Sequence, residues 1–307
     1  MLKIGIIGLG DIAQKAYLPV LCNKELDFHL YTPDQEKLSR IGRQYRFQNL
    51  HRDFESILNS GIQAAFVHAS TSSHVEIIQL LLMNDIHVYV DKPITYDYAS
   101  SKSLVRLAES RKLLLMVGFN RRYAPAYREL KQVAEPNMII MQKNRVALPG
   151  DVRNFIFDDF IHVVDTIRYL FPYPVKELKV SGMKKDNLLY HVVIQLIADN
   201  GAIAMGIMNR DSGLVEEKVE VFSSGEKRSV LNVSAVHIQS NRDDTSKGMG
   251  DWDSTLYKRG FEQIVGDFLQ AVGSGGKPEF SSAESLQTHQ MCEEITGSLS
   301  IDVIRPL

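Results

Sequence analysis

Along the first 118 residues, short apolar runs alternate with stretches of helical period. KIGII at 3–7 precedes a helical pattern from about Ile12, and DFHLY at 27–31 precedes QEKLSRIGRQ. AAFVH at 64–68 leads into HVEIIQLLLM, and IHVYV at 86–90 leads into YASSKSLVRLAES before LLLMVG closes the series. Near-continuous apolar strands separated by helices are the mark of βαβ units, which place a parallel sheet between two helical layers. Pro19 implies that the first helix is short or kinked, because proline lacks the backbone donor a helix interior needs.

After Gly118 the rhythm changes. From about Val175 the runs VKELKVSG, LLYHVVIQLIAD, AIAMGIMNR, LVEEKVEVFSS, EKRSVLNVS and AVHIQSN succeed one another across short turns, and Asp199-Asn200-Gly201 is a strong hairpin signal. Consecutive hairpins without intervening helices predict a mostly antiparallel sheet. Two helical patterns, FEQIVGDFLQAV and SAESLQTHQMCEEITGSL, end the chain on either side of a Gly-Ser-Gly-Gly loop at 273–276. The predicted organisation is an α/β Rossmann domain with a parallel sheet over residues 1–118. An α+β domain with an open, mostly antiparallel sheet follows over 119–307, its last helices able to pack back on the first domain.

Composition narrows the partners. Of 307 residues, 44% are hydrophobic and 23% charged, an ordinary globular balance with room for two cores. Lys and Arg number 35 against 37 Asp and Glu, a formal charge of -2, so there is no basic field to hold nucleic acid or an anionic membrane. A small-molecule partner is expected. Cys22 and Cys292 are the only cysteines, too few for a disulfide framework, which suits a reducing, cytoplasmic setting. LKIGIIGLG is too short and too glycine-rich for a secretory signal, and no apolar stretch approaches the roughly 20 residues of a membrane helix. The nine histidines show no H-E-x-x-H spacing, so no metal is expected.

Two stretches carry candidate chemistry. GLGDIA directly follows the first strand and opens the first helix, giving G-x-G-x-x-A where a dinucleotide fingerprint requires it. In this loop of Gly8, Leu9, Gly10, Asp11, Ile12 and Ala13, Gly8 permits the tight turn, Gly10 admits a pyrophosphate to the backbone and Ala13 allows close helix packing. The helix start then offers N–H groups to the phosphates. The second strand ends at Thr32, where an NAD enzyme usually carries an acid, with Asp34 two residues on and Lys37 and Arg40 on the next helix. A neutral residue near cations tips the expectation slightly from NAD to NADP. The second stretch is DDFIHVVDTIRYLF at 158–171, which on an ideal helix lines up Asp158, His162 and Asp165 opposite Phe160, Val164, Ile167 and Phe171. Asp and His are mediocre helix formers, an unusual choice for mere solubility, yet helix geometry leaves open both a solvated face and a site.

Together with SSH at 72–74, DKPIT at 91–95 and GFNRRYAP at 118–125, these motifs resemble, in the right order over the whole chain, the Gfo/Idh/MocA oxidoreductases. QKAYLPVL, VDKP, LMVGFNRRYAP and DDFIHVVDT look most similar to the bacterial branch labelled MviM. The resemblance implies a Rossmann domain, an open-sheet domain and a nicotinamide held in the cleft between them. It places Lys92 beside the reacting carbon on a turn fixed by Pro93, often in the cis form, with Asp91 standing where the family usually has Glu. By the same resemblance His162 is the general acid/base. Asp158 binds a substrate hydroxyl and biases the histidine, Lys92 donates a hydrogen bond to the reacting oxygen or relays the proton, and Asp165 binds a second hydroxyl.

Ser70, His74 and Asp91 join Thr32, Lys92 and the glycine loop on the cofactor side, His74 having helix capping as its ordinary alternative. Asn120 and Arg122 approach the cofactor amide and the substrate, while Arg145 and Arg210, on expected strands, would favour an anionic substrate. The implied activity is NAD(P)-dependent hydride transfer to or from a secondary alcohol or carbonyl of a sugar, polyol or sugar derivative, in a homodimer or homotetramer. A dinucleotide-sensing regulator is the competing reading, and the presence of Lys92, Asp158 and His162 argues against it.

Overall fold

The computed structural model describes residues 1–300 and resolves into two compact units. One comprises Met1–Phe119 with Phe261–Gln287, and the other comprises Asn120–Gly260 with the described residues from Thr288 onward.

The first unit is built on six strands: β1 Lys3–Ile7, β2 Asp27–Tyr31, β3 Asn49–His51, β4 Ala64–Val67, β5 His87–Val90 and β6 Leu115–Val117. All pairings are parallel, in the order β3-β2-β1-β4-β5-β6. This is the doubly wound Rossmann arrangement, in which the chain reverses direction between β1 and β4 and leaves a crevice at their carboxyl ends. The strands are apolar because both faces are covered; every residue of β4 is buried. Strand β3, only three residues long and bearing no apolar run, is an addition to the pattern read from the sequence. The first helix is short and broken as Pro19 implies, with a π-helical turn at Ala13–Tyr17 leading into Leu18–Leu21. The late helix Phe261–Ser274 completes this core: Phe268 meets the ring of Phe66 edge-on at 5.2 Å, and Phe261 meets Tyr17 at 5.4 Å.

The second unit holds β7 Met138–Asn144, β8 Val175–Lys185, β9 Leu188–Ala198, β10 Ile203–Asn209, β11 Glu216–Phe222, β12 Lys227–Leu231, β13 Val236–Ser240 and β14 Asp243–Lys247. Their order is β14-β13-β12-β11-β7-β10-β9-β8, antiparallel except for the β7–β10 pair. The hairpin at Asp199-Asn200-Gly201 joins β9 to β10, with Gly201 at φ +82° as such a turn requires. The sequence pattern passes over two of these strands, the central β7 and the edge strand β14.

The helix that follows differs from an ideal one. Asp151 caps a short turn by accepting the Asn154 N–H at 3.1 Å, residues Phe155–Phe160 wind as a π-helix, and only Ile161–Leu170 is α-helical. Asp158 therefore lies inside the π-helical turn. Ile161 and Val163 to Ile167 are all buried, so the helix has no solvated stripe; Asp158 and His162 alone of the polar line reach partial exposure. Gly206 on β10 lets it lie close, since a Cβ there would stand 3.0 Å from Val163 and 3.1 Å from Ile167.

Candidate active site

In the first unit the carboxyl ends of β1 and β4 frame a cavity of about 470 Å³ lined by Gly8, Leu9, Gly10, Thr32, Lys37, His68 and Ser70, among others. Gly8 has φ +87°, and a Cβ on it would run into the backbone of His68 and Ala69, so only glycine fits. Gly10 has nothing closer than the His68 carbonyl, 3.8 Å from where its Cβ would be. That leaves backbone accessible to a large polar group. Ala13 is fully buried behind the loop, whereas Asp11 points to solvent and pairs with Lys15 at 2.8 Å, and Ile12 is 36% exposed.

At the end of β2, Thr32 is buried and offers no carboxylate. Asp34 is spent as a helix cap, accepting the Lys37 N–H at 2.9 Å; this bond holds its carboxyl below the usual range, and the Lys37 ammonium lies 3.3 Å away. Thr32 and Lys37 both line the cavity on this side.

The DKPIT turn is pinned from several sides. The Lys92–Pro93 bond is cis. His74 is buried, with Nδ1 3.1 Å from the carbonyls of Pro93 and Ile94 and Nε2 3.1 Å from that of Ala69, so it staples the turn to the loop after β4. Helix capping is not its role, and neither ring nitrogen is left over for a ligand. Tyr17 donates to Asp91 at 2.9 Å and lies 2.9 Å from the Tyr89 hydroxyl. Loss of water pushes the Asp91 carboxyl up, against the pull of Lys92 and Tyr17. A Cβ on Gly118 would lie 2.9 to 3.1 Å from these three groups. His68 stacks on Tyr17 at 3.9 Å, and burial, aided by nearby His74, draws its pKa down to about 3, so it stays neutral. Ser70 keeps its hydroxyl 3.2 Å from those of Ser72 and Ser73.

In the second unit His162 and Asp158 rest on a bed of buried charge. Arg121 makes a bidentate pair with Glu217, 2.7 Å at each oxygen, and its Nη1 reaches Nδ1 of His162 at 3.4 Å. Burial pushes Glu217 up, but Arg121 outweighs it and brings the carboxyl to about 2. Beside them Lys143, on the inward face of β7, bonds Asp159 at 2.5 Å, and Arg145 clamps the same carboxylate with two 3.0 Å bonds. Burial lowers Lys143 to about 8 against the attraction of Asp159; burial likewise raises Asp159, but Lys143 and Arg145 hold it well below the carboxylate range.

Five residues expected to contact the substrate meet a different arrangement. Asp165 and Arg122 pair with each other at 2.5 and 2.9 Å, Thr288 donates to the same carboxylate at 2.9 Å, and both ionic side chains are buried. The reason is the buried circumference of the helix, which turns Asp165 inward. Asn120 gives its amide to the Arg259 carbonyl at 2.8 Å and receives Arg121 at 3.4 Å. Arg145 is 35% exposed but held by Asp159, and Arg210 stacks over Phe155 at 4.9 Å.

Arg121, Lys143, Asp159, Glu217, Tyr127 and His68 went unrecognised in the sequence. The alternation of β11 carried a signal for one of them: Glu217 shares the inward face with Val219 and Val221.

A glycine cradle at the switch point of a 3-2-1-4-5-6 parallel sheet, followed by a unit on a mixed, largely antiparallel sheet, defines a two-unit protein of the dinucleotide-binding Rossmann class. A family model described as an oxidoreductase family with an NAD-binding Rossmann fold matches residues 2–119, and a YceM-like C-terminal domain matches 125–241. YceM of Salmonella typhimurium is 33% identical over 301 residues, covering 96% of this chain and 97% of its own. The solved structure of a dehydrogenase (MviM) from Clostridium difficile superposes with a TM-score of 0.92 at 34% identity, over 97% of this chain and 99% of that one. Myo-inositol 2-dehydrogenase of Thermotoga maritima is 23% identical, with 92% of each chain covered. The chain belongs to the Gfo/Idh/MocA family of NAD-binding oxidoreductases.

Proposed function

We propose that the protein is an NAD(P)-dependent dehydrogenase acting on a secondary alcohol, or the corresponding carbonyl, of a polyol, sugar or sugar derivative, with Lys92, Asp158 and His162 as its catalytic set. One observation carries this reading. Lys92, Asp158 and His162 stay partly exposed while the turn and the helix that bear them are locked by buried hydrogen bonds and ion pairs. A protein that only sensed a dinucleotide would have no need to keep proton-bearing groups accessible on rigid supports.

When bound, the nicotinamide supplies the acceptor or donor of hydride. The chain has to do the rest: hold the substrate oxygen, move its proton and neutralise charge as it develops. Asp158 accepts a hydrogen bond from a substrate hydroxyl, and Lys92 and His162 share the proton at the reacting oxygen. Thr32, the engaged Asp34 and the Lys37 ammonium beside the cavity support a preference for NADP over NAD. The myo-inositol enzyme among the relatives supports a polyol-like substrate. The chain also pairs with a second copy through the outer face of its open sheet.

The test is a panel of polyols, sugars and their phosphates, followed at the nicotinamide absorbance band with each cofactor. Turnover is expected with at least one of them, falling on the order of 10²–10⁴-fold in Lys92→Ala and His162→Ala. Tight cofactor binding without any turnover would favour the regulator instead.

A further inference from the structure

Two arginines leave the second sheet side by side. The parallel strands β7 and β10 end on the paired rung Asn144–Asn209, and the residues that follow are Arg145 and Arg210. Both backbones are fixed there. Arg145 donates its N–H to the Asn209 carbonyl at 2.8 Å and accepts from Ser212 at 2.9 Å, while Arg210 donates to Tyr190 at 2.8 Å and accepts from Leu148 at 2.6 Å. Their side chains meet different surroundings. Arg145 gives Nε and Nη2 to Asp159, a carboxylate that Lys143 also holds. Arg210 lies over the buried ring of Phe155, 4.9 Å from its centroid, and its Nε is buried with no hydrogen-bond partner among the described residues.

A guanidinium carries five N–H donors in a planar fork, and a buried donor without an acceptor is destabilising, so such a group calls for a reason. Burial weakens the hold of Arg210 on its proton, Asp159 and Asp158 oppose this through space, and the like charge of Arg145 adds to the repulsion. Asp159 cannot relieve it, being engaged by Lys143 and Arg145. Two neighbouring cations, one of them with an unmet donor, are balanced by an anion brought from outside.

We propose that Arg210, with Arg145 beside it, receives an anionic group of the substrate, a carboxylate or a phosphate, so that the preferred substrate is an acidic polyol or sugar derivative rather than a neutral one. The inference rests on the dehydrogenase reading above. The planar fork can give two parallel hydrogen bonds to two oxygens of either group, which an ammonium cannot match. The stack on Phe155 and the pinned backbone set the plane of the fork before the ligand arrives, so little side-chain freedom is lost on binding. Asp158, near enough for its charge to act on Arg210, takes a hydroxyl of the same molecule.

The anion site can be read without cofactor or turnover. In protein labelled with ¹⁵N-arginine, the Nε–Hε signal of Arg210, assigned by its loss in Arg210→Lys, is titrated with sodium phosphate and with sodium acetate against a sodium chloride control of equal ionic strength. Saturable movement with phosphate or acetate is expected, and the stronger of the two names the group. Movement no larger than with chloride for both would overturn the proposal.

Kinetics supply a second readout, from a panel in which each neutral polyol or sugar is paired with its acid and its monophosphate. The wild type is expected to favour an acidic member over its neutral parent by at least about 10-fold in kcat/KM. Arg210→Met, which keeps the packing over Phe155, is expected to raise KM for that acidic substrate on the order of 10²-fold with a much smaller change in kcat. Should Arg210→Met fail to fold, Arg210→Lys, which keeps the charge and loses the fork, is expected to give a smaller rise of the same sign. A wild type that prefers the neutral members, or a folded Arg210→Met that loses acidic and neutral substrates equally, would refute the assignment. A wild type that turns over no member of the panel would remove the dehydrogenase reading, and the titration would still decide the anion site.

Discussion

Asp165 stands three residues after His162 on one helix, yet its surroundings give it different work. Its carboxylate accepts two bonds from Arg122 and one from Thr288 in a buried setting. Removing one partner of such a pair strands the other charge away from water, which costs about 3–5 kcal/mol. Asp165→Asn is accordingly expected to lose stability on that scale, read from the urea midpoint, whereas Thr288→Val, which removes one bond, loses about 1 kcal/mol. An Asp165→Asn variant as stable as wild type but weakened only in substrate affinity would return Asp165 to the substrate.

The same residue scale shows where sequence reading stops. Gly8, Gly10 and Ala13 are legible because their roles are local, set by a turn and the helix start beside it. Arg121 lies 96 positions from Glu217 and Lys143 lies 16 from Asp159, and in one dimension each reads as an ordinary surface charge.

Among the elements, those with strong period are legible almost to the residue. HVEIIQLLLM and YASSKSLVRLAES form helices at His74–Met83 and Tyr98–Ser110. Strand β3 is too short to show a pattern, and β7 hides four apolar residues, Met138 to Met141, between a polar turn and a charged end. Missing β7 also hid Lys143, and ideal α-geometry hid the π-helical turn that carries Asp158. On the outer face of β9 and β10, Val193, Ile197, Ile203, Met205 and Ile207 keep part of their apolar surface in solvent. A row of this kind across neighbouring strands is suited to burial against a second copy. Sedimentation is expected to give at least a dimer, which Ile203→Lys with Met205→Lys would dissociate; a wild-type monomer would contradict the pairing.

For the molecule as a whole, the alternation of the first 118 residues predicts the Rossmann sheet, and the run of hairpins predicts the second sheet. The parallel β7–β10 pair at the centre of that second sheet needs contacts between distant segments, and no local pattern announces it. The central claim is that the first unit binds a nicotinamide dinucleotide on its glycine loop. The direct test is calorimetric titration of the full chain with NADPH and NADH. Saturable binding is predicted, tighter for NADPH, and weakened at least about 100-fold in Gly8→Ala, whose Cβ would collide with the backbone after β4. Absence of binding by either dinucleotide to the folded wild type would contradict the account.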